Sequence, residues 1–268
     1  MNNGWYKHLH NRCDTRRSLL TLRAILSLNL IILCVSPSQS FADEQAPSEI
    51  IDLNRWKLTL PTTSREDGYA NELEPNELAA FVDPKHFFVR DNAIVFRAPC
   101  GGATTKGSSY PRCELREMND QSELAGWNTT GFTEHTMSVR LAITKTPSVK
   151  RHVVCAQIHD EKNDLLMIRL EGKKLFLERK PESDVMLDRN YQLGTFVDFK
   201  IQAFNGRIKV WHEGDVKLNW DVSRKGCYFK AGCYTQSNPN KGDSPDTFGE
   251  VVISRLHISH ESKKPINP

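Results

Sequence analysis

Three short segments carry residue types that could do chemistry, and in each the spacing is two. Arg112, Glu114 and Arg116 alternate within Arg112-Cys113-Glu114-Leu115-Arg116, and Gln157 and His159 follow Cys155 at the same interval. Tyr228, Lys230, Gly232, Tyr234 and Gln236 alternate with Phe229, Ala231, Cys233 and Thr235. On a β-strand, successive side chains point to opposite faces, so each segment offers one hydrogen-bonding face and one core face. Read this way, Cys155 shares a face with Gln157 and His159, while Val154, Ala156 and Ile158 form the other. An arginine fork pairs with a carboxylate and an amide donates to a developing oxyanion. Histidine titrates near neutrality, and a tyrosine hydroxyl can give or take a proton. Such faces suit recognition of carboxylates and sugar hydroxyls. Gly232 in mid-strand marks close approach of a ligand or of another backbone.

The elements that must position these residues read as strands almost throughout. Trp56 to Leu60 alternates and stops at Pro61, and residues 62–80 read as a loop with one helical turn near 74–80. Beyond Phe87, segments 135–143, 152–159, 165–170, 174–178, 196–204, 207–211, 228–236 and 251–259 alternate or are rich in β-formers. Asn205-Gly206 is a hairpin signal, and Glu171-Gly172 marks another reversal. Many short strands without amphipathic helices between them predict an all-β fold, a sandwich or jelly roll of antiparallel sheets, in one domain over about 50–265.

The chain opens with Lys7, Arg12, Arg16, Arg17 and Arg23, an apolar run from Ala24 to Val35, and Ser40-Phe41-Ala42. That is the layout of a cleavable signal peptide over 1–42, followed by a flexible start at 43–49. An uncleaved anchor is the alternative, although the run is shorter than the roughly 20 residues a spanning helix needs. The Arg16-Arg17 pair leaves the export route open. Cleavage would bring the net charge from +3 to about −1, which argues against a nucleic-acid binder. Any anionic partner must be met by a local patch. Five cysteines would remain, Cys100, Cys113, Cys155, Cys227 and Cys233, an odd number that leaves at least one thiol unpaired. Cys100 and Cys113 bracket a Gly/Ser/Thr-rich loop and are expected to pair across it. On an extended strand Cys227 and Cys233 would lie roughly 20 Å apart, too far for a disulfide. No Cys/His spacing resembles a zinc site.

The three segments, in this order, resemble the R-x-E-L-R, Q-I/V-H and Y-F-K-x-G-x-Y-x-Q signatures of the alginate lyases of polysaccharide lyase family 7. Trp56-Lys57-Leu58-Thr59-Leu60-Pro61 is similar to that family too, so the likeness runs from about residue 50 to 262. Cys113 stands where Ser or Thr is commoner, and the loop from Cys100 to Tyr110 is individual to this chain.

The resemblance implies a jelly roll with its substrate cleft on the concave sheet, cutting alginate or a related polyuronate by β-elimination. Products would carry an unsaturated uronate at the non-reducing end. It implies that Arg112 and Gln157 grip the substrate carboxylate and that His159 and Tyr234 are the acid/base pair. Glu114, Arg116, Lys230, Gln236 and Tyr228 become subsite residues, with cross-strand ion pairing the alternative for Glu114 and Arg116, and packing for Tyr228. For Arg112 the alternative is a salt bridge to Glu114 or to a neighbouring strand. No cofactor and no metal are implied, because arginine and amide can supply the charge neutralisation. A secreted or periplasmic monomer is expected, free of the membrane after cleavage. Endo action is expected, and Ile158 gives a lean toward guluronate or mixed blocks. His135, His152, His212 and His257 belong to none of these motifs.

Two other classes compete. A glycoside hydrolase would need two carboxylates about 5 to 9 Å apart on the cleft face, and no strand here shows that spacing. A non-catalytic carbohydrate-binding module would not need the histidine and tyrosine together.

Overall fold

The structure, a computed structural model, describes residues 45–264; the segment read as a signal peptide lies outside the described residues. Fifteen strands follow in chain order: β1 (Trp56–Thr59), β2 (Glu72–Leu73), β3 (Phe87–Arg90), β4 (Ala93–Pro99), β5 (Arg112–Glu117), β6 (Thr133–Lys145), β7 (His152–His159) and β8 (Asp164–Glu171). The remainder are β9 (Lys174–Glu178), β10 (Val185–Asp188), β11 (Val197–Phe204), β12 (Arg207–His212), β13 (Asp215–Asp221), β14 (Tyr228–Thr235) and β15 (Phe248–Ser262).

They pair antiparallel into two sheets. An eight-stranded sheet has the order β10-β9-β8-β7-β14-β5-β1-β2, and a seven-stranded sheet the order β13-β12-β11-β6-β15-β4-β3. The result is a jelly-roll sandwich. Alternation puts Leu58, Leu115, Ile158 and Phe229 of the first sheet in one apolar cluster with Phe96, Leu141, Ile201 and Val251 of the second. Burying each such side chain is worth about 1.5–3 kcal/mol, which fixes register because a one-residue slip would expose the whole set.

The hairpin signals are realised. Asn205 (φ 47°) and Gly206 (φ 75°) both take left-handed conformations between β11 and β12, and Gly172 (φ 62°) turns β8 into β9. The helical turn expected near 74–80 is a 3-10 turn at Pro75–Glu77.

Four expectations are corrected. Cys155 does not share the face of Gln157 and His159, because β7 carries an extra residue there: Val154 pairs with Arg169 and Ala156 with Ile168, leaving Cys155 without a partner on β8. The bulge shifts the alternation by one, so Val153 and Cys155 join the core before it, and Ala156 and Ile158 after it. Cys100 and Cys113 do not pair, and all five described cysteines are buried free thiols. Cys113 lies in the core with its thiol donating to the His86 carbonyl (3.2 Å), while Cys100 follows β4 in the other sheet and accepts from Thr247 Oγ1 (3.4 Å). The start read as flexible over 43–49 is docked from Pro47 onward: Pro47–Glu49 form a 3-10 turn, Pro47 is buried, and Ser48 Oγ donates to the Ala79 carbonyl at 2.5 Å. Finally, β2, β3, β4, β10 and β13 add strands to the segments read from the sequence.

Candidate active site

Neighbouring strands β7, β14 and β5 form the floor. Their register sets Lys230 between Gln157 and Arg116, Gly232 opposite Glu114, Tyr234 opposite Arg112, and Tyr228 opposite His159. The close approach predicted at Gly232 is that of another backbone. Its φ is +139°, and a Cβ there would lie 2.6 Å from the Cys113 carbonyl oxygen and 2.8 Å from Glu114 Cα.

Glu114, with no exposed surface, is the hub of the floor. One carboxylate oxygen accepts from Arg112 Nη1 at 2.9 Å and lies 2.5 Å from Lys230 Nζ, and the other accepts from Gln157 Nε2. The Arg112–Glu114 salt bridge weighed from the sequence therefore exists, and Arg112 does more than make it. Its guanidinium lies 3.8 Å from the centroid of the Tyr234 ring, and its buried Nε has no hydrogen-bond partner. Burial works to raise the Glu114 carboxyl, but Lys230 and Arg112 outweigh it and hold it below the ordinary carboxylate range. Burial, helped by repulsion from Arg112, pushes Lys230 down to about 8, with Glu114 opposing. With Arg116 alongside, three cations face one carboxylate, a surplus that favours an incoming anion.

The second group lies further along β14. His159 Nδ1 is 2.6 Å from the Asp160 carbonyl oxygen and 3.0 Å from the Tyr228 hydroxyl. A carbonyl can only accept, so Nδ1 carries a hydrogen and Nε2 keeps its lone pair. Burial chiefly, opposed by the Asp160 carbonyl and helped by Lys230, lowers His159 and favours neutral imidazole at pH 7. The ring stacks on Tyr228 (5.2 Å), and Arg116 lies over the other aromatic partner's ring, 3.9 Å from the Tyr228 centroid. A hollow of about 540 Å³ opens here, lined by Arg116, Asn128, Glu161, Lys225 and Tyr228 among others.

His159 and Tyr234 stand at opposite ends of this floor. His159 pairs with Tyr228 at the start of β14, and Tyr234 lies six residues further along that strand, beyond a register shift. Gln236 is apart from both groups, buried just beyond β14 with its backbone N–H donating to the His152 carbonyl at 3.3 Å. Above Tyr234, the structure adds residues that no motif marked. Ser108 Oγ is 3.0 Å from the Tyr234 hydroxyl, and the Tyr110 ring lies 6.4 Å from the Tyr234 ring. Among the described residues no His/Cys/Asp/Glu cluster could hold a metal ion, and no helix is long and apolar enough to cross a membrane.

Glu114 is thus fully committed to three donors, and no second carboxylate joins it in this cluster to make a hydrolytic pair. Donors for a carboxylate, a neutral imidazole and a phenol remain for proton transfer, which is the equipment of a polysaccharide lyase. Comparison with known proteins narrows this further. The family model described as Alginate lyase (Alginate_lyase2) matches residues 51–260, and the chain belongs to that family. It is similar to the solved structure of alginate lyase AlgAT5 from polysaccharide lyase family 7, at 50% identity over 81% of this chain and 99% of that one, with a TM-score of 0.77. An alginate lyase of Klebsiella pneumoniae is 26% identical over 87% of this chain and 97% of its own length. Family 7 alginate lyase A1-II′ is 28% identical, covering 82% of this chain and 98% of that one, with a TM-score of 0.70. Its structure is of a His→Asn, Tyr→Phe double variant in complex with substrate (GGMG).

Proposed function

We propose that this chain cleaves alginate by β-elimination, with Arg112 and Gln157 binding the carboxylate of the reacting uronate, His159 as base and Tyr234 as acid. The observation that carries the reading is the Glu114 hub, which aligns Arg112, Gln157 and Lys230 on one buried carboxylate and leaves a surplus of positive charge.

The C5 proton of a uronate is poorly acidic because the adjacent carboxylate is already negative. Paired with Arg112 and Gln157, that carboxylate can take up the charge that develops when the proton leaves. His159 Nε2 accepts the C5 proton. The C5–H electron pair becomes the C4=C5 double bond, the C4–O bond breaks, and the departing oxygen takes the Tyr234 proton. The substrate-bound relative, altered at one histidine and one tyrosine, supports giving these two residue types the proton-transfer roles. Arg116, Lys230, Tyr228 and Gln236 serve neighbouring sugars or orient the first group. Export to the periplasm or the medium, endo action, a monomeric state and a lean toward guluronate or mixed blocks complete the reading.

The test is near-ultraviolet absorbance of the purified protein incubated with alginate and, separately, with guluronate and mannuronate blocks, beside Tyr234→Phe. Rising absorbance that collapses in the variant supports elimination through Tyr234, and the block that gives the faster rise sets the preference. New reducing ends without absorbance would sink the reading.

A further inference from the structure

We infer that Ser108, in the loop before β5, is a positioning residue for the Tyr234 hydroxyl. This rests on the proposed role of Tyr234 and deepens it. Ser108 has one hydroxyl hydrogen, and its Oγ lies 3.0 Å from the Tyr110 carbonyl oxygen, which can only accept. The Tyr110 backbone N–H in turn donates to Ser108 Oγ at 3.0 Å. With the serine hydrogen committed, the 3.0 Å contact between the two hydroxyls must be donated by Tyr234. Ser108 therefore fixes the Tyr234 oxygen and holds its hydrogen at rest, and that hydrogen turns from Ser108 to the departing oxygen when substrate fills the cleft.

The loop is built to hold that serine in place. Asn238 Nδ2 donates to the Ser109 carbonyl at 2.8 Å, and Lys150 Nζ donates to the Tyr110 hydroxyl at 3.2 Å. Lys150 is itself fixed, because its backbone N–H and that of Val149 donate to the carboxylate of buried Asp243 at 2.9 and 2.8 Å. Below, the Arg112 guanidinium lies against the Tyr234 ring at 3.8 Å. The phenol is thereby clamped on its ring by Arg112 and at its oxygen by Ser108. When Tyr234 gives its proton to the departing oxygen, the serine hydrogen can turn from the Tyr110 carbonyl to the phenolate. The serine O–H bond only rotates; the Tyr234 O–H bond breaks as the departing oxygen is protonated and its C4–O bond cleaves, and the proton that His159 took from C5 is passed through water to restore the phenol.

The experiment compares Ser108→Ala and Ser108→Thr with the parent enzyme on alginate oligosaccharides, and measures oligosaccharide binding to Tyr234→Phe and to Tyr234→Phe/Ser108→Ala. Loss of one aligning hydrogen bond should lower kcat about 3- to 10-fold in Ser108→Ala with KM nearly unchanged. Ser108→Thr, which keeps the hydroxyl, should recover most of that loss. The double variant should bind as Tyr234→Phe does, because Ser108 acts through the hydroxyl already removed. Parental kcat in Ser108→Ala, a rise in KM alone, or weaker binding by the double variant would each overturn the inference while leaving the Tyr234 assignment standing. Full activity in Tyr234→Phe would overturn both.

Discussion

Glu114 and Glu117 stand three residues apart on β5, both wholly buried, and they are held in opposite ways. Glu114 is surrounded by Arg112, Lys230 and Gln157, with Arg116 beyond, so its surroundings hold more positive charge than it can neutralise. Glu117 is closed. One of its oxygens accepts from Trp127 Nε1 at 2.9 Å and from the Phe229 backbone N–H at 2.8 Å, and the other lies 2.6 Å from His260 Nε2. His260 meets His135 through their Nδ1 atoms at 2.6 Å, and His135 stacks on Trp127 at 4.5 Å. Since β5 belongs to one sheet and His135 and His260 to the other, Glu117 ties the two layers together. The contrast shows that a buried carboxylate does not by itself mark a site. What distinguishes the one at the proposed site is an unbalanced surrounding charge.

Substitution should separate the two sharply. Arg112→Ala should cost about 10²–10³ in kcat/KM, the size of a lost oxyanion donor, and Arg112→Lys should not restore it because the forked geometry is gone. Steady-state kinetics with a parallel unfolding curve measures this, and a stability loss large enough to explain the rate would erase the contrast. Glu117→Ala should do the reverse, leaving Trp127 Nε1 and the Phe229 N–H without their acceptor and removing the carboxylate beside His260. About 3–5 kcal/mol of stability should go, read as a shifted denaturant midpoint, while kcat per folded molecule stays within a few-fold of the parent.

A smaller effect sharpens the same contrast through pH. Burial, with His260 adding, pushes His135 down to about 4, and His152, His159 and His212 are lowered as well, chiefly by burial. Between about pH 4 and the ordinary imidazole value of about 6.5, the unfolded chain then binds more protons than the folded one. Stability is therefore full above that window and lost as pH falls through it. His135→Phe, which keeps an aromatic ring against Trp127, should flatten the fall in midpoint without moving the pH profile of kcat. An unchanged slope would remove His135 from the account.

Much of the site was legible because period-two alternation survives wherever a sheet has one apolar face. Arg112, Glu114, Gln157, Lys230 and Tyr234 lie on the three strands that the motifs predicted, which the structure places side by side, and the Asn205-Gly206 turn follows from backbone sterics alone. Alternation failed at Cys155, where the added residue leaves no local signature. Strand β13 escaped notice because it is an edge strand on which only Leu218 is buried, so hydrophobic patterning had little to act on. Ser108 and the Glu117–His260 contact were invisible for a different reason. Ser108 and Tyr234 are 126 positions apart, and no sequence window spans them. The central role of Glu114 was hidden too, since a glutamate between two arginines reads as ion pairing until Gln157 and Lys230 are seen to converge on it.

Gly232 carries a lesson for anyone wishing to redesign the cleft. A side chain there would press on the Cys113 carbonyl and the Glu114 backbone at 2.6 and 2.8 Å, wedging β5 away from β14. Arg112 and Glu114 would part from Lys230 and Tyr234 together, so a single methyl group would disable recognition and proton transfer at once. A mutagenesis library aimed at new substrates should hold this position constant and spend its diversity on the loops at either end of the cleft.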